Sequence, residues 1–125
     1  MQGLNDKRVI VTGGGSGIGR AICQRFGEEG SIVAIFDING SSAEATAAMI
    51  RDAGGKADAF RTDITDRVAV FKAVGDVQRD GPIDVLVNNA GWDEIAPFLQ
   101  TDVDLWRKVI DINLYGPLHM HHAVL

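Results

Sequence analysis

The sequence is poor in cysteine, proline and aromatic residues, and it carries fewer basic than acidic side chains. Its one cysteine, Cys23, cannot form a disulfide within the chain, so we expect a reducing compartment, the cytoplasm. The 12 basic residues against 17 acidic ones give a net charge of −5, which argues against a nucleic-acid partner. The apolar runs fall far short of the roughly 20 residues that cross a membrane, so no membrane association is expected.

Short runs rich in β-forming residues alternate with longer segments of helical period along the 125 residues. Such alternation predicts one α/β domain in which helices connect the strands of a parallel sheet. The predicted strands are residues 8–11, 31–36, 56–61 and 83–87.

Helical periodicity assigns an inner face to each connecting helix. The expected inner residues are Ile18, Ala21, Ile22 and Phe26 in the first helix, Ala45, Ala48 and Met49 in the second, Val68, Phe71, Val74 and Val77 in the third, and Trp106, Val109 and Ile110 in the last. Capping patterns open the last three helices near Ser41, Thr65 and Thr101.

The glycine-rich stretch at residues 12–19, TGGGSGIG, lies between the first predicted strand and the first predicted helix. Glycines at such a turn let the backbone approach a pyrophosphate, and the helix N-terminus offers free N–H groups and partial positive charge. Gly13, Gly17 and Gly19 are the positions that we assign to this role. A flexible turn without a ligand is the alternative.

Asp37 stands 18 residues beyond Gly19, at the end of the second predicted strand. A carboxylate there can accept hydrogen bonds from the adenosine ribose hydroxyls and would repel a 2′-phosphate, which predicts NAD rather than NADP. The absence of a basic side chain at Ser16 or Ile38 agrees with that preference. Alternatively, Asp37 serves only the turn before Asn39.

Four motifs that follow one another in a fixed order indicate the family more specifically than the glycine-rich stretch alone. They are TGxxxGIG at 12–19, Asp63-Ile64, Asn-Asn-Ala-Gly at 88–91, and Asn-Leu-x-Gly at 113–116. The series resembles that of the short-chain dehydrogenase/reductase family, and the resemblance covers essentially the whole chain. It implies a Rossmann-type, doubly wound parallel sheet of strand order 3-2-1-4, truncated here to its N-terminal portion.

The resemblance also implies a set of cofactor contacts. Asp63 and Ile64 would contact the adenine edge, and Asn89, Ala90 and Gly91 would close the cleft behind the fourth strand. The alternatives are that Asp63 caps the helix near Thr65 and that Asn88 and Asn89 hold neighbouring strands together. The complete predicted set is Thr12, Gly13, Gly15, Ser16, Gly17, Ile18, Gly19, Asp37, Ile38, Asp63, Ile64, Asn89, Ala90 and Gly91.

Asn113 matches the asparagine of the family's catalytic tetrad, whose backbone carbonyl holds a water in a proton relay. Pro117, four residues later, has no N–H to occupy that carbonyl, so a kink is predicted there. A helix that simply ends between Asn113 and Pro117 is the alternative.

The tetrad's Tyr-x-x-x-Lys is absent. Tyr115 is the only tyrosine, and His119 stands where the lysine would be, so Tyr115 is not expected to be catalytic. We expect this chain alone to be inactive, and the complete protein to be a homo-oligomer that moves a hydride between NAD and a secondary alcohol or ketone. A 3-oxoacyl-carrier-protein reductase-like enzyme and a non-catalytic NAD-binding half-domain are the alternatives.

Two further features bear on ligands. His119, His121 and His122 cluster near the C-terminal end, but two imidazoles on one face are too few to predict a metal site, and none is expected. Trp92-Asp93 and the segment 118–125 resemble a subgroup, the hydroxycyclohexanecarboxyl-CoA dehydrogenases. That resemblance implies an alicyclic hydroxyacyl-CoA as the small-molecule substrate.

Overall fold

A computed structural model describes residues 2–125 and contains a sheet of four parallel strands. The strands are β1 (Arg8–Thr12), β2 (Ile32–Asp37), β3 (Lys56–Arg61) and β4 (Val85–Val87). Their order across the sheet is β3-β2-β1-β4, which confirms the predicted Rossmann-type, doubly wound topology. The fourth strand is shorter than predicted, because Ile83 and Asp84 precede the paired residues.

Helices connect the strands and cover both faces of the sheet. They are α1 (Gly17–Glu28), α2 (Gly40–Asp52), α3 (Arg67–Gln78), α4 (Val103–Ile110) and α5 (Gly116–Val124), with a short 3₁₀ turn at Phe98–Gln100 and a π-helical segment at Asp111–Tyr115 that joins α4 to α5. Within residues 2–125, no helix combines the length and the apolar character that a membrane span requires.

Alternation along the strands divides the core between the two faces of the sheet. On β1, Val9 and Val11 pack with α1 and α2, whereas Ile10 packs with α3 and α5. On β2, Ile35 faces the first core and Phe36 the second. The central strands are therefore apolar on both faces, as expected for a parallel sheet that is covered on both sides.

The predicted helix faces are partly wrong. Ile18 is 75% exposed and Val68 is 80% exposed, so neither belongs to the core. Ile18 lies in the first turn of α1, where its side chain lines a cavity instead of packing on the sheet, and the buried residues of this helix are Gly19 and Cys23. The other predicted inner residues that the structure places at the surface are Ala21, Ala45, Met49, Phe71, Trp106 and Ile110.

The three predicted helix caps lie close to their predicted positions, but in each a neighbouring side chain makes the bond. The carboxylate of Asp66 caps α3 by accepting from the Ala69 N–H at 3.1 Å. Asn39 caps α2, and Asp102 caps α4. Each of these residues stands just before the first turn of its helix, with extended backbone, so that its side-chain oxygen can accept from a free N–H group of that turn.

Cys23 gives a direct test of this packing. The thiol is completely buried, and burial raises its pKa from 9.0 to about 12. Since the thiolate is the reactive form, we expect Cys23 to resist a thiol reagent at pH 8 in the folded chain and to react fully in guanidinium chloride. The folded pKa lies above the unfolded one, so this group's contribution to stability is present below pH 9.0 and is lost as the pH rises toward about 12. Rapid labelling without denaturant would contradict the buried position.

Candidate functional site

A cavity of about 540 Å³ opens at the carboxyl ends of the strands, where open α/β sheets bind ligands. Its volume lies within the range of small-molecule sites. The connections from β1 and β4 leave the sheet toward opposite faces, and the cavity occupies the crevice between them. The predicted cofactor-binding residues that line it are Gly13, Ser16, Gly17, Ile18, Gly19, Asp37, Ile38, Asp63, Ile64, Asn89, Ala90 and Gly91.

The glycine turn brings backbone, rather than side chains, to the cavity wall. A Cβ on Gly19 would overlap the Gly13 carbonyl oxygen and approach the Asn89 side-chain amide, so only glycine fits there. Gly17 differs, because it has a φ of +53° and no atom lies within 4 Å of its ideal Cβ position. At Gly17 the turn therefore faces open space at the N-terminus of α1, the geometry of an anion cradle.

Thr12 does not line the cavity, although it belongs to the predicted site. Its side chain is buried, and its Oγ1 accepts hydrogen bonds from the N–H groups of Asn89 and Ala90, both at 3.1 Å. Asn89 also donates through Nδ2 to the Gly13 carbonyl at 3.2 Å. These bonds fix the loop after β4 against the glycine turn, so Thr12 positions the residues that form the wall.

Gly15 also lies behind the wall, where it orients Asp37. The Gly15 N–H donates to Asp37 Oδ2 at 2.9 Å, while its carbonyl accepts from Arg20 Nη2 at 2.7 Å. The Asn39 N–H donates to the other carboxylate oxygen, Oδ1, at 2.9 Å. Asp37 thus serves the turn and also lines the cavity, and each carboxylate oxygen retains a lone pair for a ligand hydroxyl.

Asp63 and Ile64 form the wall beside β3. Asp63 Oδ1 accepts from the Thr65 N–H at 2.9 Å and from the Thr65 hydroxyl at 2.7 Å, which is a turn rather than the helix cap that was its alternative role. Ile64 is nearly buried, and its carbonyl accepts a hydrogen bond from His119 Nδ1 at 2.8 Å. α5 therefore supports this part of the cavity from behind.

Asn113 ties the long helical segment to the cavity wall through its side chain. Its Nδ2 donates to the carbonyls of Trp92 at 2.6 Å and Val109 at 3.0 Å, and its Oδ1 accepts from the Trp92 N–H at 3.1 Å. The backbone around it is π-helical, and the Gly116 N–H bonds to the Asp111 carbonyl, five residues back. The helix therefore continues past Pro117 with a local π-bulge in place of an end.

The three histidines have separate partners. His121 Nε2 lies 2.8 Å from Asn88 Nδ2, and His122 Nδ1 lies 3.0 Å from Arg67 Nη1, whereas His119 bonds to the Ile64 carbonyl. Over the described part of the chain, no group of three or more His, Cys, Asp or Glu side chains is arranged to hold a metal ion.

Some lining residues were not predicted as part of the site; they are Phe36, Thr62, Trp92, Lys108 and Ile112. The Lys108 ammonium lies 3.7 Å from the centre of the Trp92 ring. Lys108 and Ile112 are four residues apart, so helical spacing places them on the same side of the helix as each other. The contact with Trp92 has no such local signal.

Comparison with known proteins identifies the family. Residues 7–125 match the family described as short chain dehydrogenase. The chain is 39% identical over 122 residues to a sorbitol dehydrogenase of Cereibacter sphaeroides, covering 97% of this chain and 46% of that protein. It is 37% identical over 114 residues to a meso-2,3-butanediol dehydrogenase of Serratia marcescens, covering 90% of this chain and 45% of that protein.

The same likeness holds among solved structures. The crystal structure of an NAD⁺-bound xylitol dehydrogenase superposes with a TM-score of 0.93 at 38% identity, covering 98% of this chain and 48% of that one. The chain therefore spans about half the length of the relatives that it matches. Its motif series, strand order and glycine turn agree with the match, and the chain belongs to the short-chain dehydrogenase/reductase family.

Proposed function

We propose that the cavity binds NAD and that the complete protein transfers a hydride between NAD and a secondary alcohol or ketone. The observation that carries this proposal is the open glycine turn at Gly17 together with the fixed carboxylate of Asp37 on the same cavity wall. The first suits a pyrophosphate and the second suits ribose hydroxyls. When bound, the nicotinamide supplies the hydride chemistry, which no amino-acid side chain can supply.

The chain's own residues would hold the dinucleotide in a defined orientation. Gly17 and the N-terminus of α1 would face the pyrophosphate, and Asp37 would accept from the ribose. Asp63 and Ile64 would contact the adenine edge, while Gly91, with its neighbours Asn89 and Ala90, would close the cleft beyond β4. The exposed side chains of Ile18 and Ile38 add apolar surface to the same cavity.

Asn113 is proposed to act through its backbone. Because its side chain is engaged with Trp92, the group left for chemistry is the main-chain carbonyl, for which Pro117 supplies no N–H. That carbonyl would hold the relay water. The similarity to a sorbitol dehydrogenase and a butanediol dehydrogenase supports a secondary alcohol as the substrate. An alicyclic hydroxyacyl-CoA is the narrower proposal.

Cofactor binding is tested by Gly17→Ala. The added methyl group would point into open cavity space, so it would displace a ligand without clashing with the protein. We expect the affinity for NAD⁺, measured by isothermal titration calorimetry on this chain, to fall roughly tenfold or more. Gly54→Ala is the matched control, since Gly54 also has a positive φ and open surroundings but lies in the turn after α2.

The control separates backbone strain from loss of the ligand contact. Both variants put alanine in a left-handed conformation, so both should lose a similar amount of stability. If NAD⁺ bound equally well to both variants, or did not bind the unaltered chain, the proposed site would be wrong.

Asp37→Ser tests the preference for NAD. Removing the carboxylate removes its repulsion of a 2′-phosphate, so the ratio of the NADP to the NAD dissociation constant should fall roughly tenfold. Asp37 also stabilises the turn that both cofactors need, so its loss could weaken the binding of both. The ratio of the two dissociation constants cancels that shared effect. Asp63→Asn serves as the control and should leave the ratio unchanged. An unchanged ratio in Asp37→Ser would contradict the assignment of Asp37.

We also propose that the complete protein is a homo-oligomer that covers the outer face of the long helical segment. An apolar stripe runs along that face, and its members are 41 to 53% exposed: Val103, Trp106, Ile110, Leu114 and Leu118. Their spacing of three or four residues keeps them on one side of a helix.

Ile110→Glu tests this surface. A charge in the middle of the stripe should lower the sedimentation coefficient from that of an oligomer to that of a monomer, because burying an unpaired carboxylate is unfavourable. Val68→Glu, at the exposed position on α3, is the control and should leave the assembly intact. Equal sedimentation of the Ile110→Glu and unaltered proteins would place any interface elsewhere.

A further inference from the structure

We propose that Lys108, held over the ring of Trp92, binds an anionic group of the substrate and so selects alcohols that carry a carboxylate or phosphate. This inference rests on the proposed function, because it assigns substrate specificity to the same cavity. Among residues 2–125, Lys108 is the one basic side chain that lines the cavity.

Trp92 holds the ammonium group of Lys108 at a defined place. Its ring centre lies 3.7 Å from Lys108 Nζ, a cation–π distance. Both backbone polar groups of Trp92 are bonded to the side chain of Asn113, so the base of the ring is fixed. A lysine held in this way loses less side-chain entropy when it binds an anion than a freely moving one.

The charges around the cavity separate its two ends. Asp37 ends β2 and Asp63 follows β3, whereas Trp92 follows β4, on the other side of β1. An anion would be repelled at the first end and attracted at the second. The proposed ribose contact of Asp37 places the adenosine at the first end, which leaves the Lys108 end for the other part of the dinucleotide and for the substrate.

Lys108 is also not neutralised by the protein. Asp104 and Asp111 stand one helical turn away on either side, yet neither forms an ion pair with Lys108 within the described residues. The ring of Trp92 positions the cation without cancelling its charge. The ammonium group therefore keeps its hydrogen-bond donors for a ligand oxygen.

The test compares two probes that differ in charge. 3-Hydroxybutyrate and its methyl ester are titrated into the chain saturated with NAD⁺, and the indole N–H resonance of Trp92 is followed by NMR, with that of Trp106 as the internal reference. We expect the acid to bind about three- to fivefold more tightly than the ester, the size of effect given by one exposed charge pair.

Three variants make the test specific. Lys108→Met should abolish the difference between acid and ester, whereas Lys108→Arg should retain it. Arg107→Met removes the same charge from the neighbouring position, which does not line the cavity, and should also retain it. Calorimetry with NAD⁺ alone should give the same dissociation constant for all of these proteins.

Two results would overturn the inference while leaving the proposed function intact. Equal binding of acid and ester to the NAD⁺-loaded chain would show that Lys108 selects no anion. A weaker affinity of Lys108→Met for NAD⁺ itself would assign the lysine to a phosphate of the cofactor. Failure of the unaltered chain to bind NAD⁺ would instead overturn the proposed function and, with it, this inference.

Discussion

The cavity depends on how closely the glycine turn after β1 approaches the loop after β4. The buried hydroxyl of Thr12 accepts two backbone N–H groups from that loop, and the Asn89 side chain returns a bond to Gly13. No Cβ could be inserted between Gly19 and this pair of segments. Polar groups at the bottom of the crevice are therefore satisfied within the protein, and the remaining backbone surface at Gly17 stays open to a ligand.

This close approach requires a rigid support, which the two cores provide. Because β1 is buried on both faces, its end cannot shift without disturbing α1 on one side or α3 on the other. The parallel register of β1 with both β2 and β4 then fixes the ends of three strands relative to one another. Asp37 and Asn89 are brought to opposite sides of the glycine turn by this register, although they are far apart in sequence.

The features that were predicted correctly have local causes. Apolar runs next to a glycine turn define β1, β2 and β4, and the position of Asp37 follows from where its strand ends. Helix faces were predicted less well, because a helix in this fold contacts the sheet, a neighbouring helix and the cavity in turn. The apolar side chain of Ile18 lines the cavity and does not belong to the core. Sequence periodicity marks apolar positions of both kinds and cannot distinguish a residue that lines a cavity from one that packs in the core.

Asn113 shows that a motif can identify a residue without predicting its contacts. The motif identified the residue, and Pro117 predicted an interruption of the helix, but neither indicated that the side chain would bind the backbone of Trp92. That bond needs the tertiary path of the loop after β4. It has two consequences, because it holds the π-helical backbone of Asn113 near the cavity and it fixes the ring on which Lys108 rests. The side-chain amide of Asn113 thus couples the proposed proton relay to the proposed selection of substrate, so a change at Asn113 would disturb both.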